Sequence, residues 1–414
     1  MPRPIALRAR LVFPVAAPPM VDGCVTIAGQ RIVAVGRAAP DADIRDLGNV
    51  AILPGLVNAH THLEFADLAA PLGVPGMTLP AWIRQVMSHR RVASPSAGES
   101  VLPGLNECVR TGTTTVGDIA TQDWRAIAAA TACPLPDVVM FREAIGPTPD
   151  RIAPAIAASE AFLASPNPLP NVLPALSPHA PYTVHPALLD SLVDLALRHH
   201  VPLAMHLAES REELELLRAG TGPIRELLVE LNAWNDAADA RYGSILAYLE
   251  ALARAPRALV IHGNYLSESE QAFLAAHAAS MSVVYCPRTH AYFGHDPYPL
   301  AAMLARGVPV ALGTDSRASN PDLDLWTEMR FVAERHPQVS PATVLELGTW
   351  NGARALGVDR EVGTLAAGKL ANLAIVAIDD AGGDPHERLF DRASRVVETY
   401  LRGEPTRSPT VGSW

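Results

Sequence analysis

Eight short apolar segments punctuate the middle of this chain, ending near residues 60, 118, 142, 178, 206, 262, 286 and 315. Most of the intervals between them read as helical, for example over 188–199 and 341–355. Strand then helix, repeated eight times, is the pattern of a (β/α)8 TIM-like barrel, because parallel neighbours need a crossover and a helix supplies it. The two ends of the chain read differently. Segments 24–28 and 31–36 are strand-like around a Gly29 turn, and β-rich sequence returns from 363 through 373–376 to about 403. The expected organisation is a small β-sandwich module built from residues 1–53 and 362–414, around a barrel over 54–361. With 414 residues there is room for both. The stretch 234–254 reads as a longer helical excursion between the fifth and sixth strands.

In such a barrel the chemistry collects where strands end. Those positions carry His60 and His62, Asp118, Arg142 and Glu143, His179, His206, His262, Arg288 and His290, and Asp315. Apolar strands running into ordinary loops would show mixed Ser, Lys and Gln instead. His60 and His62 are two apart, so on a strand both imidazoles share a face and can grip one ion. His206 ends a buried apolar segment, and Asp315 closes another. Three neutral imidazoles and a carboxylate suit zinc or another borderline divalent ion, with one position left for water whose pKa falls to about 7. Glu209, three residues past His206, would face the opposite side of a continued strand. It reaches the site only if the strand ends at about His206; otherwise it is a solvated carboxylate beside Glu212 and Glu213.

Other classes are disfavoured. A formal charge of −10 argues against nucleic-acid binding, and no apolar run is long enough to span a bilayer. Arg3, Arg8 and Arg10 before residues 11–17 imitate a signal peptide, but two prolines and strand-like sequence follow. The four cysteines (Cys24, Cys108, Cys133, Cys286) form no Cys-x-x-Cys pair and read as reduced, mostly buried thiols of a cytoplasmic protein. Residues 363–370 nearly spell a P-loop, but Leu370 stands where Ser or Thr would hold magnesium. The His-x-Glu with Pro-Cys-x-x-Cys signature and the Gly-x-Ser-x-Gly elbow are both absent.

Four features together resemble the amidohydrolase superfamily: Pro54-Gly55-Leu56-Val57-Asn58-Ala59-His60-Thr61-His62, the His206-x-x-Glu209 pair, His262 in Val260-Ile261-His262-Gly263, and Gly313-Thr314-Asp315-Ser316. They look most like its adenosine-type, S-adenosylhomocysteine-type, guanine and s-triazine aminohydrolases. The resemblance implies His60, His62, His206 and Asp315 as ligands of one divalent ion, zinc first and Fe2+ as the alternative. It makes Glu209 the proton shuttle to a ring nitrogen, His262 an orienting partner and Asp315 also the acceptor of a proton from the attacking water. Relatives with two metals commonly bridge them with a carboxylated lysine. The single lysine here, Lys369, lies outside the expected barrel.

On the substrate side, His179 in Ser177-Pro178-His179 is similar to a substrate-contacting histidine of the deaminase branch. Arg142 and Arg288 can clamp a carboxylate or ribose hydroxyls, or each pairs with a neighbouring loop carboxylate. Glu64 has the strand parity to face the mouth or is simply solvated, and Glu143 and His290, beside the two arginines, are further candidate substrate contacts. The segments 141–143, 62–65 and 288–290 look most like aminodeoxyfutalosine deaminases of menaquinone synthesis. The implied activity is hydrolytic deamination of a purine-like ring in a small-molecule substrate. Hydrolysis of an s-triazine-like ring is the alternative and a metal-free scaffold a third reading. Homo-oligomer formation is left open.

Overall fold

The computed structural model describes residues 3–92, 97–131, 134–234, 242–379 and 382–406. Five strands open the chain: β1 (Ile5–Val12), β2 (Met20–Ala28), β3 (Arg31–Gly36), β4 (Asp43–Asp46) and β5 (Val50–Pro54). The segment that imitates a signal peptide thus begins as a strand of a sheet. Eight follow in the middle: β6 (Leu56–Thr61), β7 (Thr113–Ala120), β8 (Asp137–Ala144), β9 (Val172–Pro178), β10 (Leu203–Leu207), β11 (Ala258–His262), β12 (Met281–Tyr285) and β13 (Val310–Leu312). Three close the chain: β14 (Leu373–Ala377), β15 (Arg395–Leu401) and β16 (Glu404–Thr406).

Strands β6 to β13 pair in sequence order, each parallel to the next, with helices between them. The first and last approach where the Thr314 and Asp315 N–H groups donate to the His60 carbonyl, at 3.1 Å each. The result is the expected TIM-like barrel. Strand parity then sorts the core. Leu259 and Ile261 of β11 point into the barrel interior with Val57, Val139, Phe141 and Val284, whereas Ala258 and Val260 face the surrounding helices.

The remaining eight strands form a separate sheet in the order β16-β15-β14-β5-β1-β2-β3, with β4 on β1. At the first crossing between the two sheets Gly55 alone intervenes, since β5 ends at Pro54 and β6 starts at Leu56. A Cβ on Gly55 would come within 2.1 Å of the Thr114 hydroxyl, so only glycine fits this crossing. Lys369 donates to the carbonyls of Asp359 and Val362, in the segment leading back to this sheet. Part of the excursion expected over 234–254 lies outside the described residues, as does Cys133; Ile245–Leu252 is helical. The other three cysteines are free and buried, and no described helix is long and apolar enough to cross a membrane.

Candidate active site

Val57 and Ala59 fill the barrel interior, so strict alternation would turn His60 away from it. The ladder between β6 and β7 shifts register between Asn58 and Thr61. Such an irregularity re-aims side chains, and His60 and His62 meet edge-to-face with ring centroids 4.9 Å apart. His206 joins them from the end of β10, its Nε2 3.3 Å from Nε2 of His62. One nitrogen from each of the three rings falls within 4.8 Å of the others. Asp315 approaches two of these rings, its Oδ1 3.5 Å from His60 Nε2 and 3.7 Å from His62 Nε2. Its Oδ2 accepts from the Ser319 hydroxyl at 2.8 Å.

The electrostatics fit a cation held at this point. Burial pushes the His60 and His62 imidazoles well below their ordinary value, and those of His179 and His206 down to about 4. Neutral rings are what a metal needs. Among the described residues, both nitrogens of His60 and Nδ1 of His62 are buried without a hydrogen-bond partner, an arrangement that costs energy unless something fills it. His206 Nδ1 faces the His179 carbonyl at 2.9 Å. A carbonyl can only accept, so that nitrogen carries the proton and Nε2 is left free to ligate. The donor set therefore suits a divalent ion.

Glu209 arrives by a sharp turn. Strand β10 ends at Leu207 and Ala208 adopts φ +55°, left-handed for a non-glycine residue. The turn swings Glu209 to within 3.5 Å of His262, Oε1 to Nε2, with both residues buried. His262 itself has φ +71° and Asp315 φ +57°. Strained turns of this kind, costing on the order of 1–3 kcal/mol each, persist where surroundings impose them, often at functional sites. Burial, helped by Asp315 and Glu213, raises the Glu209 carboxyl well above its usual range.

A cavity of about 410 Å³ opens over this cluster. His62, Glu143, His179, His206, Glu209, His262 and Asp315 line it, with Trp82 and Arg90 from the Leu79–Val92 helix and Leu227 from the Pro223–Glu230 helix. Glu143 is buried, and its Oε1 lies 3.8 Å from His179 Nε2. Four other residues expected at the mouth do not line the cavity. Glu64 is tied to Arg90 and Thr121, and Arg142 donates to the carbonyls of Ala120, Thr121 and Glu143. Arg288 is closed by Glu328 and Asp322, while His290 packs edge-on against Tyr285 and Tyr298. Arg90, Arg151 and Glu213 were not anticipated as site residues. Ser210-x-x-Glu213 has the spacing of a helix cap, the one signal that Glu213 turns back to the chain.

The chain matches the amidohydrolase family over residues 51–405. It is 33% identical over 377 residues to a 5-methylthioadenosine/S-adenosylhomocysteine deaminase of Syntrophobacter fumaroxidans, covering 86% of this chain and 80% of that protein. It is 30% identical to an aminodeoxyfutalosine deaminase of Deinococcus radiodurans, with 81% of each chain covered. The structure of a zinc-bound adenosine deaminase from Xanthomonas campestris superposes with a TM-score of 0.76 at 25% identity, over 97% of this chain and 92% of that one. On the extent of this match and on its fold, the chain belongs to the amidohydrolase family.

Proposed function

We propose that this protein is a hydrolytic deaminase of an adenine nucleoside carrying a 5′ substituent. His60, His62, His206 and Asp315 would hold its one divalent ion, zinc. The observation that carries this reading is the buried Glu209–His262 pair, 3.5 Å apart, beside three clustered imidazoles, two of which have orphaned nitrogens. Two deaminases of adenine nucleosides among the relatives support it, as does the zinc in the similar structure.

When bound, the ion supplies a Lewis acid that brings the pKa of water near 7. The residues do the rest. Water adds across the C6–N1 bond of the ring: Asp315 accepts a proton from the water, and Glu209, kept protonated by its burial, donates one to N1. His262 holds the Glu209 carboxyl in position. Asp315 then passes the proton it took to the exocyclic amino group, the C6 hydroxyl returns its proton to Glu209, and collapse at C6 expels ammonia and leaves the oxo ring. His179 and Glu143, on the cavity wall, meet the base edge and the sugar hydroxyls.

The test is ammonia release from methylthioadenosine, S-adenosylhomocysteine, aminodeoxyfutalosine, adenosine and guanine under identical conditions, with a chloro-s-triazine alongside. One of the first three should be turned over fastest. Preference for guanine, or chloride release from the triazine without deamination of any nucleoside, would overturn the reading.

A further inference from the structure

Next to the site, and outside the lining of its cavity, lies a cluster of aromatic residues that the chemistry above does not use. Tyr298 is its centre. The ring is buried and stacks on Tyr285 with centroids 3.7 Å apart and planes 10° from parallel, and His290 meets it edge-on at 5.5 Å. The Tyr285 hydroxyl is directed elsewhere, 3.4 Å from His336 Nε2. The ring of Tyr298 thus has little freedom. Its hydroxyl donates to one acceptor, the main-chain carbonyl of His262, at 3.0 Å.

That carbonyl belongs to an unusual turn. His262 and Gly263 have φ of +71° and +58°, two consecutive left-handed residues at the end of β11. Left-handed backbone is costly for histidine and must be held by its surroundings. The same turn is laced to the one that carries Glu209. Gly263 N–H donates to the Leu207 carbonyl at 3.1 Å, Tyr265 N–H to Ala208 at 3.0 Å, and the Asn264 side-chain amide to the Glu209 carbonyl at 2.9 Å.

We propose that Tyr298 is a positioning residue: through its hydroxyl on the His262 carbonyl it holds the left-handed 262–263 turn, and with it the alignment of His262 and Glu209. The inference rests on the reading of His262 and Glu209 given above. It accounts for His290, which is buried on the Pro287–Phe293 helix and meets the ring of Tyr298 rather than a ligand.

Tyr298→Phe removes the hydroxyl and keeps the stacked ring. In the metal-loaded enzyme, amide hydrogen exchange over residues 258–266 should rise by about tenfold, the scale of one lost hydrogen bond. The kcat should fall by about tenfold with KM unchanged within about twofold, because alignment matters in the transition state more than in binding. Metal content should stay as in the wild type. Tyr285→Phe, which removes a hydroxyl directed at His336, should change neither exchange nor kcat. Added to His262→Ala, Tyr298→Phe should cause no further loss. Unchanged exchange, an equal effect from Tyr285→Phe, or full compounding with His262→Ala would each overturn the proposal. Failure of the wild type to deaminate any nucleoside would instead defeat the functional reading, and the exchange experiment would still decide the role of Tyr298.

Discussion

Glu213 grips the turn that presents Glu209, its Oε1 accepting from the Ala208 N–H at 2.9 Å and its Oε2 from the Glu209 N–H at 2.8 Å. Ala208 is left-handed and both N–H groups are buried, so these bonds hold a strained conformation in place. A glutamine at 213 has one acceptor oxygen for two donors. One N–H would then face an amide NH2, and an unsatisfied buried donor costs about 1–3 kcal/mol.

Glu213→Gln should therefore lower the unfolding midpoint and reduce kcat by about tenfold or more, with metal retained. Full turnover in that variant would show that the turn holds without both bonds.

Glu209→Gln separates proton transfer from metal binding. It should keep the ion and the fold but lose about 10²-fold or more in kcat, the usual loss for a positioned acid–base group. Metal lost along with activity would move Glu209 into the coordination sphere.

The histidine cluster predicts about one divalent ion per chain, the number that three imidazoles and one carboxylate can serve. His206→Ala should lose the ion and the activity together, and chelation should lower thermal stability because the ion binds only the folded site. Elemental analysis finding two tightly held ions, or an active protein with none, would refute the single-ion site.

Asp118 makes a pH-dependent contribution that can be isolated. It accepts from the Leu63 N–H at 2.9 Å and from Trp124 Nε1 at 2.8 Å, yet full burial pushes its carboxyl up to about 7. A folded-state value above the unfolded one favours the fold when the group is protonated. That contribution is complete below the ordinary value of 3.8 and disappears as pH rises through about 7. Relative to Asp118→Asn, wild-type stability should fall between those limits, with a slope of at most about 1.4 kcal/mol per pH unit. Urea-unfolding curves for the two proteins that keep a constant separation over this range would show that Asp118 is already ionised in the fold.

The barrel and its histidine cluster were legible because each depends on a local pattern: apolar strands, and polar residues where they stop. What failed to show was what happens one residue beyond. Strand β12 ends at Tyr285 and the chain enters the Pro287–Phe293 helix at once, so Arg288 meets Glu328 on the Leu325–Arg335 helix, not the mouth. Alternation on β8 does separate Phe141, inward, from Arg142, and puts Glu143 back on the cavity side; treating residues 142 and 143 alike ignored that parity. Arg90 and Arg151 gave no signal, because a helical arginine looks the same whether it meets solvent or a cavity.

The last prediction concerns those two arginines and the substrate's tail. Arg90 is paired with Glu64, but among the described residues Arg151 makes no ion pair, and it lines the cavity from the Pro149–Ala164 helix. The neighbouring wall is apolar, with Ile83, Val86 and Met87 from the Leu79–Val92 helix and Leu231. Such a chamber accepts an uncharged 5′ group by burial alone, whereas a tail ending in a carboxylate gains from Arg151. A charge-assisted hydrogen bond is worth about 1.5–3 kcal/mol when desolvated, and Arg151 is exposed, so the lower end applies. Arg151→Ala should thus reduce kcat/KM about tenfold for S-adenosylhomocysteine or aminodeoxyfutalosine and leave methylthioadenosine nearly unaffected. Raising the ionic strength should narrow the same difference in the wild type, because an exposed guanidinium is screened. Equal losses on charged and uncharged tails would mean that Arg151 shapes the cavity without reading charge. No loss on either would place the distal end of the substrate elsewhere, with the deamination chemistry at Glu209 untouched.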